Sequence, residues 1–417
     1  MFANVISRIG YKLGLTPYNV YLLKGFKRPE WLYRNRKSIP FHPLYFSPVS
    51  EVTAEDIALA GRLLAAYAKA TATGAPTSES ISKIWTAMLA RYGKLFSALE
   101  QGEPEGLAKT LSSMFREGFI VGVGTGDTYP GSQTRIGARI WSQRYLEDLV
   151  SLAEYVGVVR TECVEQGSIG WAFKDGVEEL VAKIEAAIGM PIGFPNIGAP
   201  YGLKIGDALI TFEGSEHIYV ALRISEAIDS HLRQERAAEP HIVEIGAGFG
   251  GTAHWLLKLR RRVGSYTIID LPIVNVLQGY FLAKAFGAQN VSLFGEEALA
   301  RTSSININVR PTHALDSIGT DGVDVLVNEN SMPEMPQTAV ENYLTWAKEK
   351  VGGIFYSYNQ EAYSPYENVL QVLVPEVVAR VGGFKRLSRN YSWVRRGYVE
   401  EIYLSDKVSR QRFGETG

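Results

Sequence analysis

A glycine-rich turn follows an apolar run in the second half of the chain, and this turn could lie against a ligand. The apolar run is residues 241–245, and the turn consists of Gly246, Ala247, Gly248, Phe249 and Gly250. Glycines remove side chains where a backbone turns sharply from a strand into a helix, so a ligand can approach main-chain atoms. The next helix begins near residue 252 with unpaired N–H groups. Such a turn can receive the pyrophosphate of a dinucleotide or the carboxylate of an amino-acid moiety.

Two acidic residues near the turn discriminate between these ligands. Glu244 lies within the predicted strand, two residues before the first glycine. A buried acid is costly without a partner, but it suits a cationic ammonium or sulfonium group. Asp270 closes the next strand, where a carboxylate can accept both hydroxyls of an adenosine ribose, and Leu271 follows it. Asp270 alone would also fit NAD, whereas its combination with Glu244 favours S-adenosylmethionine as the cofactor.

From residue 241 onward the sequence alternates between strands and helices, which is typical of an α/β sheet with helices on both faces. The predicted strands are residues 241–245, 266–269, 291–294, 323–327 and 353–358. The predicted helices are residues 252–262, 273–286 and 338–350. The tail at residues 384–387, 393–394 and 399–404 supplies the last strands, for which antiparallel pairing is allowed. The predicted fold class is therefore α/β with a Rossmann-like sheet.

The first half of the chain has the apolar spacing of helices. Thr53 and Asp56 form a capping signal, and apolar residues then recur at steps of three and four up to residue 188. Dense Gly and Pro at residues 190–206 predict a linker or a ligand-shaped loop rather than a regular element. The predicted domains are a basic aromatic arm at residues 1–50, a mostly helical domain at 51–195 and the cofactor-binding domain at 196–410.

The composition describes an ordinary globular protein. The chain has 417 residues, of which 46% are hydrophobic, and its length suits two domains. A formal net charge of −1 produces no overall electrostatic attraction to nucleic acid, so we expect no nucleic-acid partner. Cys163 is the only cysteine, which excludes an internal disulfide. No apolar run approaches the roughly 20 residues that cross a bilayer, and no secretory signal is evident, so we expect a cytoplasmic protein.

The arm at residues 1–50 has a local excess of basic residues. Its first forty residues contain eight Lys and Arg side chains against a single acid, Glu30, with Tyr, Phe and Trp interleaved. One interpretation is peripheral contact with anionic lipid, a glycan or a partner subunit, for example in a homodimer. The other is that the arm packs on the acidic remainder of its own protein. We favour the second interpretation.

A more particular signature follows the fourth predicted strand. It reads Asn328-Glu329-Asn330-Ser331-Met332-Pro333-Glu334-Met335, and Tyr343 and the sequence Tyr-Ser-Tyr-Asn-Gln at residues 356–360 come after it. Together with residues 241–287, it resembles the sugar O-methyltransferases of bacterial polysaccharide and glycosylated natural-product pathways. The resemblance covers about the last half of the chain. It implies a class I methyltransferase fold, S-adenosylmethionine as methyl donor, and a sugar hydroxyl in a glycan or small molecule as acceptor.

Methyl transfer to a hydroxyl requires alignment of donor and acceptor, and a base can take the hydroxyl proton as the oxygen attacks. Ligands of such sheets bind beyond the carboxyl ends of the strands. Glu334 and Glu329 lie there and are candidate bases. His217 is a third candidate, because an imidazole titrates near neutral pH. Each also has a structural alternative, as a loop acid, a helix cap or a histidine packed on a helix face.

Polar residues in the same region are candidate ligand-binding positions. Asn328 is assigned to the cofactor, and Asn330, Ser331 and Tyr201 are assigned to the acceptor. No adjacent pair of aspartates follows the fourth strand, so we expect no metal.

Three other functions remain open from the sequence. The chain could methylate a small molecule that is not a sugar, act as an NAD-dependent oxidoreductase, or serve as a non-catalytic binding subunit with a methyltransferase fold.

Overall fold

A computed structural model describes residues 26–32, 39–74, 83–117, 120, 135–163, 165, 170–260, 262–297, 305–318, 322–362, 365–366 and 369–408. The chain divides into two compact units. The N-terminal unit comprises Met1–Ser50, Ser113–Tyr219 and Trp393–Arg396. The sheet unit comprises Glu51–Ser112, Val220–Ser392 and Gly397–Gly417. The helical residues 51–112 thus belong with the sheet, although the sequence analysis grouped them with a separate helical domain.

The described helices agree closely with the apolar spacing of the sequence. They are Ala54–Thr73 (α1), Lys83–Leu89 (α2), Gly93–Gln101 (α3), Pro104–Leu111 (α4), Arg135–Tyr155 (α5), Val177–Ile188 (α6), Gly214–His231 (α7), Gln234–Ala238 (α8), Gly251–Leu259 (α9), Pro272–Phe286 (α10), Gln337–Lys350 (α11) and Val374–Val381 (α12). The capping box predicted at Thr53 is present, with reciprocal bonds between Thr53 and Asp56. No helix in the described ranges is long and apolar enough to cross a membrane.

The described strands form three sheets. They are Leu44–Phe46 (β1), Tyr201–Ile205 (β2), Ala208–Ile210 (β3), His241–Ile245 (β4), Ser265–Asp270 (β5), Val291–Ser292 (β6), Ile307–Pro311 (β7), Val323–Glu329 (β8), Val351–Gln360 (β9), Pro365–Tyr366 (β10), Val369–Leu370 (β11), Phe384–Tyr391 (β12) and Tyr398–Ser405 (β13). The main sheet has eight strands in the order β12-β13-β9-β8-β4-β5-β7-β6. β1, β2 and β3 form a second sheet, and β10 pairs with β11.

The main sheet confirms the predicted Rossmann-like α/β architecture. β4 pairs in parallel with β5 on one side and with β8 on the other, and β8 continues in parallel to β9. β13 runs antiparallel to both β9 and β12, which accounts for the strands expected at residues 384–387 and 399–404, whereas residues 393–394 form no strand. After β4, the chain therefore adds β5, β6 and β7 on one side of this strand and then β8 and β9 on its other side. The crevice at the carboxyl ends of β4 and β8 is thus a switch point of the topology, where ligands of such sheets bind.

The central strands are apolar on both faces because helices cover the sheet on both sides. All seven residues of β8 are buried. One face packs Val243, Ile245 and Leu326 against residues of α11 and α12. This packing leaves few buried positions for polar side chains, so those that occur near the strand ends require a specific explanation.

The third predicted strand is present but shorter than predicted, and the strand that follows it was missed. Only Val291 and Ser292 of the predicted residues 291–294 form a strand, and it lies at the edge of the sheet. The third main strand is β7, in which Asn308 and Arg310 alternate with three buried apolar residues. Arg310 is satisfied locally, since its guanidinium donates to the Ser292 carbonyl at 2.7 Å. Because Asn308 and Arg310 interrupt its apolar pattern, β7 was not recognised in the sequence. Residues 291–294 appear more apolar and were predicted as the third strand instead.

Helix α1 packs against α10 within the sheet unit. Lys284 of α10 forms an ion pair with Asp56 at 2.7 Å, and Arg62 binds Glu296 at 2.7 Å. Gly279 of α10 allows the close approach, because a Cβ atom there would lie 2.7 Å from the side chain of Leu63. These contacts explain why residues 51–112 belong to the sheet unit.

The N-terminal unit contains a small antiparallel sheet as well as helices. The prediction of an irregular segment at residues 190–206 was wrong for its last part, because Tyr201–Ile205 forms β2 between β1 and β3. Gly202 permits the pairing, since a Cβ atom there would overlap the carbonyl of Ile210. Here the glycine serves close strand pairing rather than a turn.

The described part of the basic arm binds acids of its own unit. The backbone N–H of Lys27 donates to Glu147 at 3.0 Å, and the Arg28 guanidinium pairs with Glu154. The Trp31 indole is fully buried and donates to Glu162 at 3.1 Å. Residues 26–32 thus pack on their own protein, while residues 1–25 and 33–38 of the arm lie outside the described residues.

Gly353 in β9 should be essential for the pairing of β8 and β9, whereas its neighbour Gly352 should not. A Cβ atom at Gly353 would overlap the backbone carbonyl of Asp324, while at Gly352 its nearest neighbour is the end of the long Arg236 side chain at 3.2 Å. We expect Gly353→Ala to lower the free energy of unfolding by at least about 2 kcal/mol. Gly352→Ala should change it by less than about 1 kcal/mol. Urea denaturation measures both, and equal losses would contradict this account.

Candidate functional site

The turn after β4 requires glycine at three positions. The φ angles of Gly246, Gly248 and Gly250 are 73°, 57° and 97°, all in the left-handed region. A Cβ atom at Gly246 would overlap the side chain of Ser331, so this glycine also serves packing. At Gly248 nothing lies within 4 Å of such an atom. The backbone at Gly248 therefore faces open space that a ligand could enter.

The other residues of the turn contribute mainly backbone to this face. The Phe249 side chain is buried, and its ring packs edge-to-face on Phe281 with centroids 5.0 Å apart. Ala247 is partly exposed, and its N–H is directed to Asp270. A ligand at this turn would thus meet main-chain atoms, as the sequence predicted.

Asp270 lies at the carboxyl end of β5 and is held by several donors. Leu271 N–H donates to Oδ1 at 2.8 Å, and the Gln278 side chain donates to Oδ2 at 2.7 Å. Gln278 also donates to the carbonyl of Gly248 at 2.9 Å, so it links the glycine turn to this carboxylate. Burial raises the pKa of Asp270 to about 7, against the opposing effect of these hydrogen bonds.

Gln278 was missed by the sequence analysis. It lies on the second turn of α10, eight residues beyond Asp270, and is fully buried. An amide side chain on a largely apolar helix was the available signal, because buried polar groups need partners. Its hydrogen-bond partners, Gly248 and Asp270, are apparent only in the folded chain.

Glu244 is buried in the middle of the sheet, with 1% of its surface exposed. The Tyr266 hydroxyl of β5 donates to Glu244 Oε2 at 2.8 Å, and Oε1 has no hydrogen-bond partner. Burial raises the pKa of Glu244 to about 7, and the nearby Asp270 adds to this, while the Tyr266 bond opposes it. An unpartnered buried carboxylate oxygen beneath the glycine turn is an acceptor that lacks a donor.

Two tyrosines missed by the sequence analysis approach Asp270. Tyr92 follows α2 and is buried, and Tyr343 of α11 is partly buried. Burial, and secondarily the charge of Asp270, raises the pKa of both phenols. Tyr92, between α2 and α3, and Tyr343 of α11 thus both lie in the surroundings of Asp270.

The turn after β8 is tied to the end of β4. The Asn328 amide donates to the Ile245 carbonyl at 2.9 Å and to Ser331 Oγ at 2.6 Å, while its oxygen accepts from Asn359 at 3.0 Å. Ser331 in turn donates to the Ile245 carbonyl at 3.0 Å. Both polar side chains hold the two strand ends together, which places residues 329–334 at the crevice.

The remaining predicted residues of this turn are near the glycine turn but differ in exposure. Glu329 is buried and accepts a hydrogen bond from Thr252, the second residue of α9. Glu334 is half-buried in a short 3₁₀ turn, Met332–Glu334. Asn330 adopts a φ of 60°, and its buried Oδ1 has no hydrogen-bond partner.

His217 and Tyr201 belong to the N-terminal unit. His217 lies in the first turn of α7 and is buried. Burial lowers its pKa to about 4; Glu216 opposes this and Arg395 adds to it. The imidazole is therefore neutral at neutral pH, and it is a weaker base than an exposed histidine. Tyr201 is buried in β2, where its ring stacks on Phe46 with centroids 5.0 Å apart.

Within the described ranges, no group of three or more His, Cys, Asp or Glu side chains is arranged to hold a metal ion.

Comparison with known proteins was made at three levels. No protein-family model matches the chain, and no curated protein matches it. Among solved structures, magnesium protoporphyrin IX methyltransferase of Synechocystis PCC 6803 is 8% identical, with a TM-score of 0.33 over 48% of this chain and 86% of that one. The O-methyltransferase TomG of Streptomyces achromogenes is 15% identical, with a TM-score of 0.31 over 46% and 80% of the two chains. An O-methyltransferase of Bacillus cereus is 13% identical, with a TM-score of 0.32 over 61% and 96%.

These structural similarities are weak, and the fold of the chain is defined by its own strand order. Parallel strands extend on both sides of β4, and an antiparallel β13 lies between β9 and β12. This arrangement is a mostly parallel, Rossmann-like α/β sheet.

The raised pKa of Glu244 predicts how stability depends on pH. The ligand-free folded state binds this proton more tightly than the unfolded chain, so the stabilisation is present at low pH and is lost as pH rises toward about 7. We expect Glu244→Gln to become more stable relative to the wild type by about 2–3 kcal/mol between pH 5 and pH 8. Urea denaturation across this range measures the difference.

Glu235→Gln provides the control for this prediction, because Glu235 is exposed on α8. Its stability difference from the wild type should not change with pH. A Glu244→Gln difference that is equally flat would show that Glu244 is ionised normally in the folded protein.

Proposed function

We propose that this protein is an S-adenosylmethionine-dependent O-methyltransferase. The observation that carries the proposal is the pair of buried carboxylates at the ends of adjoining strands, beneath a turn that faces open space at Gly248. Glu244 has an oxygen without a donor, and Asp270 lies where a ribose would be bound. An adenosine with a cationic amino-acid chain matches this arrangement.

The charge of the site supports this donor over NAD. Neither Glu244 nor Asp270 forms an ion pair with Lys or Arg in the described ranges, and Glu329 adds a third acid nearby. NAD would bring a negatively charged pyrophosphate to the same turn, and like charges in a buried site repel strongly. S-adenosylmethionine carries a sulfonium and an ammonium group, whose positive charges the acids would stabilise.

When bound, S-adenosylmethionine supplies an electrophilic methyl group. Asp270 would hold the ribose hydroxyls, with its orientation maintained by Leu271 and Gln278. The unpartnered oxygen of Glu244 would receive the ammonium group. The left-handed glycines would let the amino-acid portion lie against the backbone, where the first N–H groups of α9 are available for its carboxylate.

The acceptor in this proposal is a sugar hydroxyl of a glycan or glycosylated small molecule. The support is the resemblance of residues 328–335 to sugar O-methyltransferases, together with the unpartnered buried oxygen of Asn330, which could accept a bond from a hydroxyl. Ser331 and Tyr201 are further candidates for the acceptor. Glu334, Glu329 and His217 are the candidate bases, and the half-exposed Glu334 requires the least rearrangement to reach a substrate.

Asp270→Ala should abolish binding of the donor nucleoside, because the ribose would lose its charged acceptor. Isothermal titration with S-adenosylhomocysteine is expected to show a loss of at least about 100-fold in affinity. Asp316→Ala is the matched control, since Asp316 is exposed in the 3₁₀ segment Thr312–Ser317. Binding of NAD to the wild type, with no binding of S-adenosylhomocysteine, would refute the proposed function.

Transfer of labelled methyl groups from S-adenosylmethionine to a panel of saccharides tests the acceptor. With an accepted sugar, Glu334→Gln should lower kcat by roughly 100-fold or more if Glu334 is the base, with little change in KM for the donor. His217→Gln and Glu329→Gln report on the other two candidates in the same assay. If only hydroxyl compounds without a sugar were methylated, the proposed methyltransferase activity would stand and the proposed sugar acceptor would be wrong.

A further inference from the structure

Tyr266 lies next to Glu244 on the adjoining strand and is entirely buried. β4 and β5 pair so that Tyr266 is opposite Ile242, and its side chain extends toward the carboxyl end of the sheet. Its hydroxyl donates to Glu244 Oε2 at 2.8 Å. This bond occupies one carboxylate oxygen and leaves Oε1 as the one without a partner.

The groups facing this pair are acidic or neutral. Asp270 at the end of β5 and Glu329 at the end of β8 act electrostatically on Glu244 and on Tyr266, respectively. Thr252 of α9 is bonded to Glu329. Burial, followed by Glu244 and Glu329, raises the pKa of Tyr266 well above its ordinary value. The phenol therefore keeps its proton and always acts as a donor toward Glu244.

We propose that Tyr266 is a positioning residue for the methyl donor. By holding Oε2, it turns Glu244 so that Oε1 is presented to the ammonium group of the amino-acid portion. Tyr266 itself would not touch the donor. This inference rests on the proposed function, and it adds a residue that the glycine motif and the two acids do not indicate.

The hydrogen bond has a second consequence, which concerns protonation. A donor to a carboxylate favours its ionised form, and the Tyr266 hydroxyl lowers the pKa of Glu244 against the effect of burial. An ammonium group is bound well only by the ionised carboxylate. Removal of the phenol hydroxyl should therefore shift the pH at which the donor binds to higher values.

The test is the pH dependence of S-adenosylhomocysteine binding by Tyr266→Phe, measured by isothermal titration between about pH 6 and pH 9. We expect the midpoint of the affinity curve to rise by about 1 pH unit, with at least tenfold weaker binding at neutral pH. Tyr356→Phe is the matched control. Tyr356 is also fully buried and donates to a buried glutamate, Glu400, at 2.9 Å, but it lies on β9 with β8 between it and β4.

A second ligand separates positioning from a general structural effect. Methylthioadenosine retains the adenosine but lacks the amino-acid chain, so its binding should be the same in Tyr266→Phe and the wild type. Equal weakening of both nucleosides, or an unchanged midpoint for S-adenosylhomocysteine, would overturn the inference. Failure of both nucleosides to bind the wild type would instead refute the proposed function.

Glu244→Gln keeps the inference testable if Tyr266→Phe does not fold. The neutral amide should weaken the preference for S-adenosylhomocysteine over methylthioadenosine at about pH 8. If the preference were unchanged, Glu244 would not receive the ammonium group, and Tyr266 would have no positioning role.

Discussion

Desolvated negative charge at the carboxyl ends of β4 and β5 is the constraint on which this protein's candidate site depends. Burial raises the pKa of both Glu244 and Asp270 to about 7. In the described ranges neither acid has a cationic side chain as a partner. Ionising both at neutral pH costs stability in the ligand-free protein. In the proposed function, a cationic ligand would offset that cost.

Uncharged hydrogen-bond donors hold both buried carboxylates without neutralising their charge. Gln278 connects Asp270 to the glycine turn, and Tyr266 connects Glu244 to the next strand. Both partners are uncharged donors, so they orient the carboxylates and leave their charge available to a ligand. Lys or Arg at these positions would stabilise the free protein more, but would compete with the ammonium group for the same oxygens.

Elements outside the central sheet support this site or form structures of their own. Helix α1 is fastened to α10 by the Asp56–Lys284 pair, and Tyr92 from the following segment reaches the surroundings of Asp270. In the N-terminal unit, Glu147 on α5 binds the backbone at Lys27 and Arg28. The described part of the basic arm therefore satisfies a buried acid of its own unit.

Local patterns in the sequence were enough to identify the glycine turn, the strand before it, the acid after β5 and the helix caps. These features depend on short-range rules: left-handed turns require glycine, buried parallel strands are apolar, and Thr53 caps α1 through residues three positions away. Where polar residues interrupt a strand, as in β7, the same rules failed. They also failed at β2, where glycine serves strand pairing rather than a turn.

The sequence by itself therefore determined the type of sheet and the presence of Glu244, the three glycines and Asp270 around one turn. Only the tertiary structure decided which groups complete them, because Gln278, Tyr266 and Tyr92 are brought to the acids from other elements. It also showed that the side chains of Asn328 and Ser331 hydrogen-bond to the end of β4. The physical reason is that burial and hydrogen bonding of a side chain depend on neighbours distant in sequence, whereas turn and strand preferences depend on adjacent residues.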